Sequence, residues 1–119
     1  MPEQSEPEFL TSQKSDIYVI RNPDVPDPQG ANAFLVVPGT FGVPEDGERI
    51  WIRNVTGSPV DVKLPTAIGP SKRIANGKTE PFDLNAAAAG IHVYMVDVDL
   101  GGGIKVPAQG GSNPRIVYG

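Results

Sequence analysis

Arg49-Ile50-Trp51-Ile52-Arg53-Asn54 and Val60-Asp61-Val62-Lys63-Leu64, separated by Thr56-Gly57-Ser58-Pro59, decide the fold class of this chain. Polar and apolar side chains alternate at the ends of the first stretch and throughout the second. That period of two belongs to a strand with one buried face. The intervening Thr-Gly-Ser-Pro supplies turn chemistry, so the two strands are expected to lie beside one another. Working outward, Ile17-Tyr18-Val19-Ile20 reads as a first strand. The loop of residues 22–30 follows, and its three prolines forbid a sheet interior. Residues 33–37 form a second strand stopped by Pro38-Gly39. Towards the C-terminus the pattern predicts a strand over residues 78–84, placed at an edge by Pro81, and a strongly apolar, central strand over residues 91–98. Short strands at 103–106 and 115–118 complete the count. Asn85-Ala86-Ala87-Ala88-Ala89-Gly90 is too short for more than about a turn of helix.

The chain has 119 residues, enough for one core, and its 14 glycines and 13 prolines suit many turns rather than long helices. Eight to ten short strands in one domain predict an all-β fold, a two-sheet Greek-key β-sandwich spanning residues 16–119. Residues 1–15 are acidic and poor in apolar groups. They read as a flexible N-terminal arm, with docking on a neighbouring subunit as the functional alternative. The apolar strand at 115–118 must be tied into a sheet, its own by default or that of another subunit.

Composition excludes several chemistries. The absence of Cys removes disulfides, thiolate metal sites and cysteine nucleophiles, and a single His leaves no material for a multi-histidine centre. A net charge of −4 disfavours nucleic acid and anionic membrane surfaces as partners. The longest apolar stretch falls far short of the roughly 20 residues that span a bilayer. No secretory leader pattern opens the chain, so the expected location is cytoplasmic, or periplasmic or extracellular if a leader was removed.

The order of these elements from residue 33 to residue 106 resembles the cupredoxins, plastocyanin-like domains in particular. The first part of the resemblance runs Phe34-Leu35-Val36-Val37-Pro38-Gly39-Thr40-Phe41-Gly42-Val43-Pro44-Glu45-Asp46-Gly47-Glu48-Arg49-Ile50-Trp51-Ile52-Arg53-Asn54. It is similar to the family's strand, proline, second short strand, Gly-Glu turn and next strand ending in Asn. The second part is Gly77-Lys78-Thr79-Glu80-Pro81-Phe82-Asp83-Leu84, leading through Gly90 into Ile91-His92-Val93-Tyr94-Met95-Val96. The resemblance implies a copper pole built from two histidines, a cysteine and an axial methionine. Those four places fall on Val60, Asp99, Val96 and Ile104, none of which binds copper. His92 matches an aromatic framework position. The implied protein is a cupredoxin-like scaffold with its copper ligands absent and no cofactor.

Other motifs weigh less. Asn76-Gly77-Lys78-Thr79 ends like a phosphate-binding loop, but Lys72 stands where that loop needs Gly and a strand follows, so a hairpin turn is expected. Asp97-Val98-Asp99-Leu100-Gly101-Gly102 opens like a calcium loop, yet Ala108 occupies the position of the bidentate carboxylate. Asp97 and Asp99 remain weak divalent-ion candidates. Asn54-Val55-Thr56 fits a glycosylation acceptor, with a structural Asn as the simpler role, and Trp51 reads as the large core aromatic. The expected function is that of a non-catalytic module in protein interaction or assembly, possessing no enzymatic site. The alternative is a domain that binds a small ligand or divalent metal at the former copper pole.

Overall fold

Alternation around Ile50 and Ile52 and around Val60 and Val62 is preserved in the computed structural model, which describes residues 15–43, 49–66, 68–84, 90–108 and 113–118. Eleven strands and no helix occur among them: β1 Ile17–Arg21, β2 Phe34–Val37, β3 Thr40–Val43, β4 Arg49–Val55, β5 Val60–Lys63, β6 Lys72–Ile74, β7 Thr79–Asp83, β8 Gly90–Val93, β9 Met95–Gly101, β10 Ile104–Pro107 and β11 Arg115–Tyr118. They form three sheets, not the two expected, ordered β2-β1-β4-β7, β10-β9-β5-β6 and β3-β11-β8. The all-β architecture is compatible with a β-sandwich.

One apolar cluster joins the three sheets. Ile17, Val19, Phe34, Ile50, Ile52 and Phe82 come from the first sheet, Val60, Val62, Ile74, Val96 and Val98 from the second, and Ile116 and Val43 from the third. Pro81 does lie on an edge strand, β7, where its missing N–H costs no ladder bond. The C-terminal strand is tied down within its own chain, since β11 pairs in parallel with β3 and antiparallel with β8. With both its edges occupied, it has none to offer another subunit.

Three neighbour expectations are corrected. The strands β4 and β5 do not pair, because β4 lies between β1 and β7 while β5 lies between β9 and β6. The chain crosses from one sheet to the other at residues 56–59, and the crossing is built on Asn54. Its side chain is fully buried, and its Nδ2 donates to Ser58 O at 2.7 Å and Ile74 O at 3.0 Å. Its Oδ1 accepts from Thr56 N at 3.0 Å and lies 2.8 Å from Thr56 Oγ1. A buried amide requires partners for both donors and its acceptor, and a corner between sheets presents the loose carbonyls and N–H that a flat hairpin does not. The glycosylation reading of Asn54 therefore conflicts with its burial. Asn76-Gly77 is likewise a turn between sheets rather than a hairpin. β6 pairs with β5, β7 pairs with β4, and Gly77, at φ +80°, donates its N–H to Asn54 O.

The apolar run 91–98 is not one central strand. It divides at Tyr94 into β8, an edge strand, and β9, which lies inside the second sheet. Tyr94 is buried at the junction while Ile91, Val93 and Met95 are open to solvent. Apolar content alone does not distinguish a strand buried on both faces from one that changes sheets midway. Strand β6 was not foreseen at all, being three residues long, with Arg73 facing out and Lys72 half-buried on the same side as Ile74. Of the arm at residues 1–15, residues 1–14 lie outside the described residues, as do 85–89 of the alanine turn at 85–90.

Asn54→Ala should lower the free energy of unfolding by about 3 kcal/mol, because the Ser58 and Ile74 carbonyls and the Thr56 N–H lose their partner in a buried place. Asn54→Asp should do no better at neutral pH, since a carboxylate cannot donate to those carbonyls. Urea denaturation of the two variants measures both effects, and a loss below about 1 kcal/mol in each would contradict this role.

Candidate functional site

The two four-stranded sheets turn very different outer faces to solvent. On the second sheet, alternation points Val60, Val62, Val96 and Val98 inward and Asp61, Lys63, Asp97 and Asp99 outward. The register sets Asp61 directly opposite Asp97, a like-charge pair that would be unfavourable alone. Cations on either side relieve it. Arg73 from β6 donates Nε to Asp61 Oδ1 at 2.9 Å and Nη2 to Asp61 Oδ2 at 3.1 Å, and the same Nη2 reaches Asp99 Oδ2 at 2.7 Å. Lys105 from β10 binds Asp61 Oδ2 at 3.1 Å, and Lys63 lies 3.2 Å from Asp97 Oδ2.

The hydrogen bonds from Arg73, ahead of those from Lys105, hold the Asp61 carboxyl below the usual range despite its partial desolvation. Asp99 is lowered by Arg73 first and then by the Gly101 N–H. Both carboxylates in turn push the Arg73 guanidinium up. A shallow, open depression of about 310 Å³ lies over this lattice, with Lys63, Ser71, Arg73 and Lys105 on its walls. Lys72, at its margin, turns away to donate to Pro81 O on β7, and its ammonium lies 5.0 Å from the Phe82 ring centroid.

Asp97 and Asp99 are thus brought together on one outer face, but each faces a cation of this chain. Among the described residues no group of three or more His, Asp or Glu side chains is placed to hold a metal ion. The calcium-like stretch is the end of β9 and the β9–β10 turn. There Gly101, Gly102 and Gly103 all have positive φ, which L side chains rarely adopt, and Asp99 Oδ1 accepts from Gly101 N at 2.9 Å. The four places assigned to copper ligands do not converge. Val60 and Val96 are buried in the core, Asp99 points to the opposite face of the same sheet, and Ile104 is exposed at the start of β10.

The outer face of the first sheet is apolar on β1 and β2 and mixed on β4, where Arg49 and Arg53 alternate with Trp51 and Val55. Tyr18 and Ile20 on β1, Leu35 and Val37 on β2, and Trp51 and Val55 on β4 share it, set side by side by the registers Tyr18 with Val37, Ile20 with Leu35 and Ile20 with Val55. Tyr18, Val37 and Val55 are 40%, 44% and 41% exposed. Trp51 belongs to this face and not to the core. Ile50 and Ile52 take the inward positions, and the indole is half-buried with the Arg49 guanidinium 5.9 Å from its ring. The Ile-Trp-Ile pattern already required Trp51 to oppose its neighbours, so the signal for this face was present in the alternation. Arg49 also binds Asp83 at 2.6 Å at the end of the same face.

His92 is half-buried on β8, where the register sets it opposite the buried Ile116 of β11. No helix among the described residues is long and apolar enough to cross a membrane. No protein-family model matches the chain, and neither does any curated protein or solved structure compared with it.

The ion-pair lattice has a definite acid signature. Because the Asp61 and Asp99 carboxyls are lowered in the folded state, the stability they contribute is present above the unfolded carboxylate value of about 4 and is lost as pH falls through their folded values. Melting temperature should therefore hold steady from pH 7 to about 4 and fall below it, with a visibly shallower fall in Arg73→Gln. Identical acid profiles for the two proteins would exclude a contribution from the lattice.

Proposed function

We propose that this chain is a non-catalytic interaction or assembly subunit, built on a cupredoxin-like sandwich without copper ligands, that associates through apolar sheet surface. The single observation that carries the reading is the outer face of β2-β1-β4-β7, where Tyr18, Ile20, Leu35, Val37 and Val55 adjoin, three of them about 40% or more exposed, and Trp51 follows beyond Arg53. Scattered apolar residues are ordinary on a protein surface, whereas a contiguous patch on a flat sheet marks a contact surface. Tyr18 and Trp51, with Arg49 and Arg53 on the same face, give it the composition of an interface centre. The valines at positions 60 and 96 support the copper-free reading, since their side chains fill core where a ligand set would have to open.

The alternative, a divalent ion held by Asp97 and Asp99, has less support. An ion at that place would have to displace Lys63 and Arg73 from carboxylates they already neutralise. Millimolar Ca²⁺ or Mg²⁺ should leave the melting temperature unchanged, while a rise saturating with concentration would favour the metal reading.

The interaction reading is tested by light scattering and sedimentation from micromolar to millimolar protein. The wild-type chain should show a weight-average mass rising above 12.6 kDa. Val37→Lys/Val55→Lys should weaken that association at least tenfold while retaining the wild-type melting temperature within a few degrees. A wild-type chain that stays at monomer mass throughout, or a double variant that associates equally well, would overturn it.

A further inference from the structure

Asn76-Gly77 is the one Asn-Gly pair in the chain, and such a pair carries a reaction of its own. The backbone nitrogen that follows an Asn can attack the side-chain amide carbon, and glycine, having no Cβ, leaves that approach open. Here a bond would form from Gly77 N to Asn76 Cγ. The proton of the Gly77 N–H would leave with the side-chain nitrogen as ammonia, and a five-membered succinimide would result. Water then opens the ring at either carbonyl. Cleavage of the new bond gives aspartate in an unchanged main chain. Cleavage of the original peptide bond gives isoaspartate, whose main chain runs through the side-chain carbon and is one methylene longer. Water is the only co-reactant.

Both residues are exposed, so water and base reach them. Hydrogen bonding is what holds the reaction back. Gly77 N, the nucleophile, donates to Asn54 O at 2.7 Å, which retains the proton it must lose. Asn76 Oδ1 accepts from Gly57 N at 2.8 Å, which ties the amide to the other crossing, at residues 56–59. On either side the backbone is pinned as well, by Asn54 N donating to Lys78 O at 3.0 Å and Lys78 N to Ala75 O at 3.1 Å. Attack requires Gly77 N to leave Asn54 O and the Asn76 amide to leave Gly57 N together, which is a local opening of the joint between the sheets.

We infer that Asn76 is a deamidation site gated by the crossing at Asn54, closed in the folded chain and reacting only when that corner opens. The two products act differently on the corner. Aspartate keeps a carboxylate oxygen for the Gly57 N–H. Isoaspartate lengthens the main chain between Ala75 and Gly77 and so draws Gly77 N away from Asn54 O. The site therefore loosens the joint on which both four-stranded sheets depend, and it is independent of what the outer faces bind.

The test incubates the whole chain in mildly alkaline buffer, with and without denaturing guanidinium chloride, and follows by peptide mass the exchange of ammonia for water. In the unfolded chain the gain should fall on the peptide that contains Asn76, and in the folded chain it should be slower by roughly tenfold or more. Asn54→Ala should speed the reaction several-fold in native buffer. Asn76→Asp should melt within a few degrees of the wild type, while the isoaspartyl fraction of an aged sample should melt lower. Equal rates in the folded and unfolded wild-type chain would overturn the gating, a comparison that needs no variant to fold. An unfolded chain that gains mass only at other asparagines would overturn the site. An Asn54→Ala chain that melts lower yet reacts no faster than the wild type would overturn the link to the crossing.

Discussion

A single buried amide sets how the sheets meet. Asn54 ends the inward row of β4, fully enclosed, with two carbonyls, a backbone N–H and a hydroxyl around it. Its partners come from the turn that leaves β4 and from the last residue of β6 in the other four-stranded sheet. The desolvation cost of such a group is offset only when every polar atom finds a partner. Here that condition is met only if the chain turns the corner at residues 56–59 and β6 ends beside it. The turn at Asn76-Gly77 closes on the same place, with Gly77 N donating to Asn54 O and Asn54 N to Lys78 O. The crossing therefore fixes which strands can be neighbours in both sheets.

From that partition follow two unlike surfaces. The second sheet faces water through carboxylates and cations in a shared lattice, which keeps a pair of opposed aspartates tolerable and leaves little free charge for a ligand ion. The first sheet faces water through Tyr18, Val37, Val55 and the flank of Trp51, with Arg49 and Arg53 on the same face. Charge on one side and apolar surface on the other is how a small β domain can remain dispersed while directing contact to chosen places.

How much of this was legible in the chain depends on what each residue pattern encodes. Period-two alternation around Ile50 and Ile52, and around Val60 and Val62, assigned strands and their inward faces, and Pro81 marked an edge because a missing N–H is local chemistry. Trp51 was misplaced when its size was weighed above its parity. The run from Ile91 to Val98 misled for a different reason. Around Tyr94 apolar residues follow one another from Val93 to Val96, so nothing local tells that Tyr94 goes inward at a break between sheets while Ile91, Val93 and Met95 face out. Asp97 and Asp99 could be placed together on one face from their spacing, but their cation partners come from β5 and β6, distant in the chain.

The sequence by itself determined that the chain is all-β, which side chains face inward along the strands around Ile50 and Val60, and that none of the four places assigned to copper ligands carries one. These are matters of residue type and of a two-residue period, and both are written locally. Only the tertiary structure decided that there are three sheets, that β4 and β5 part company, and that the run from Ile91 to Val98 divides between two of them. Partner choice among strands is settled by non-local hydrogen bonds and by where a buried amide can find all its partners, and those partners exist only once the chain has folded.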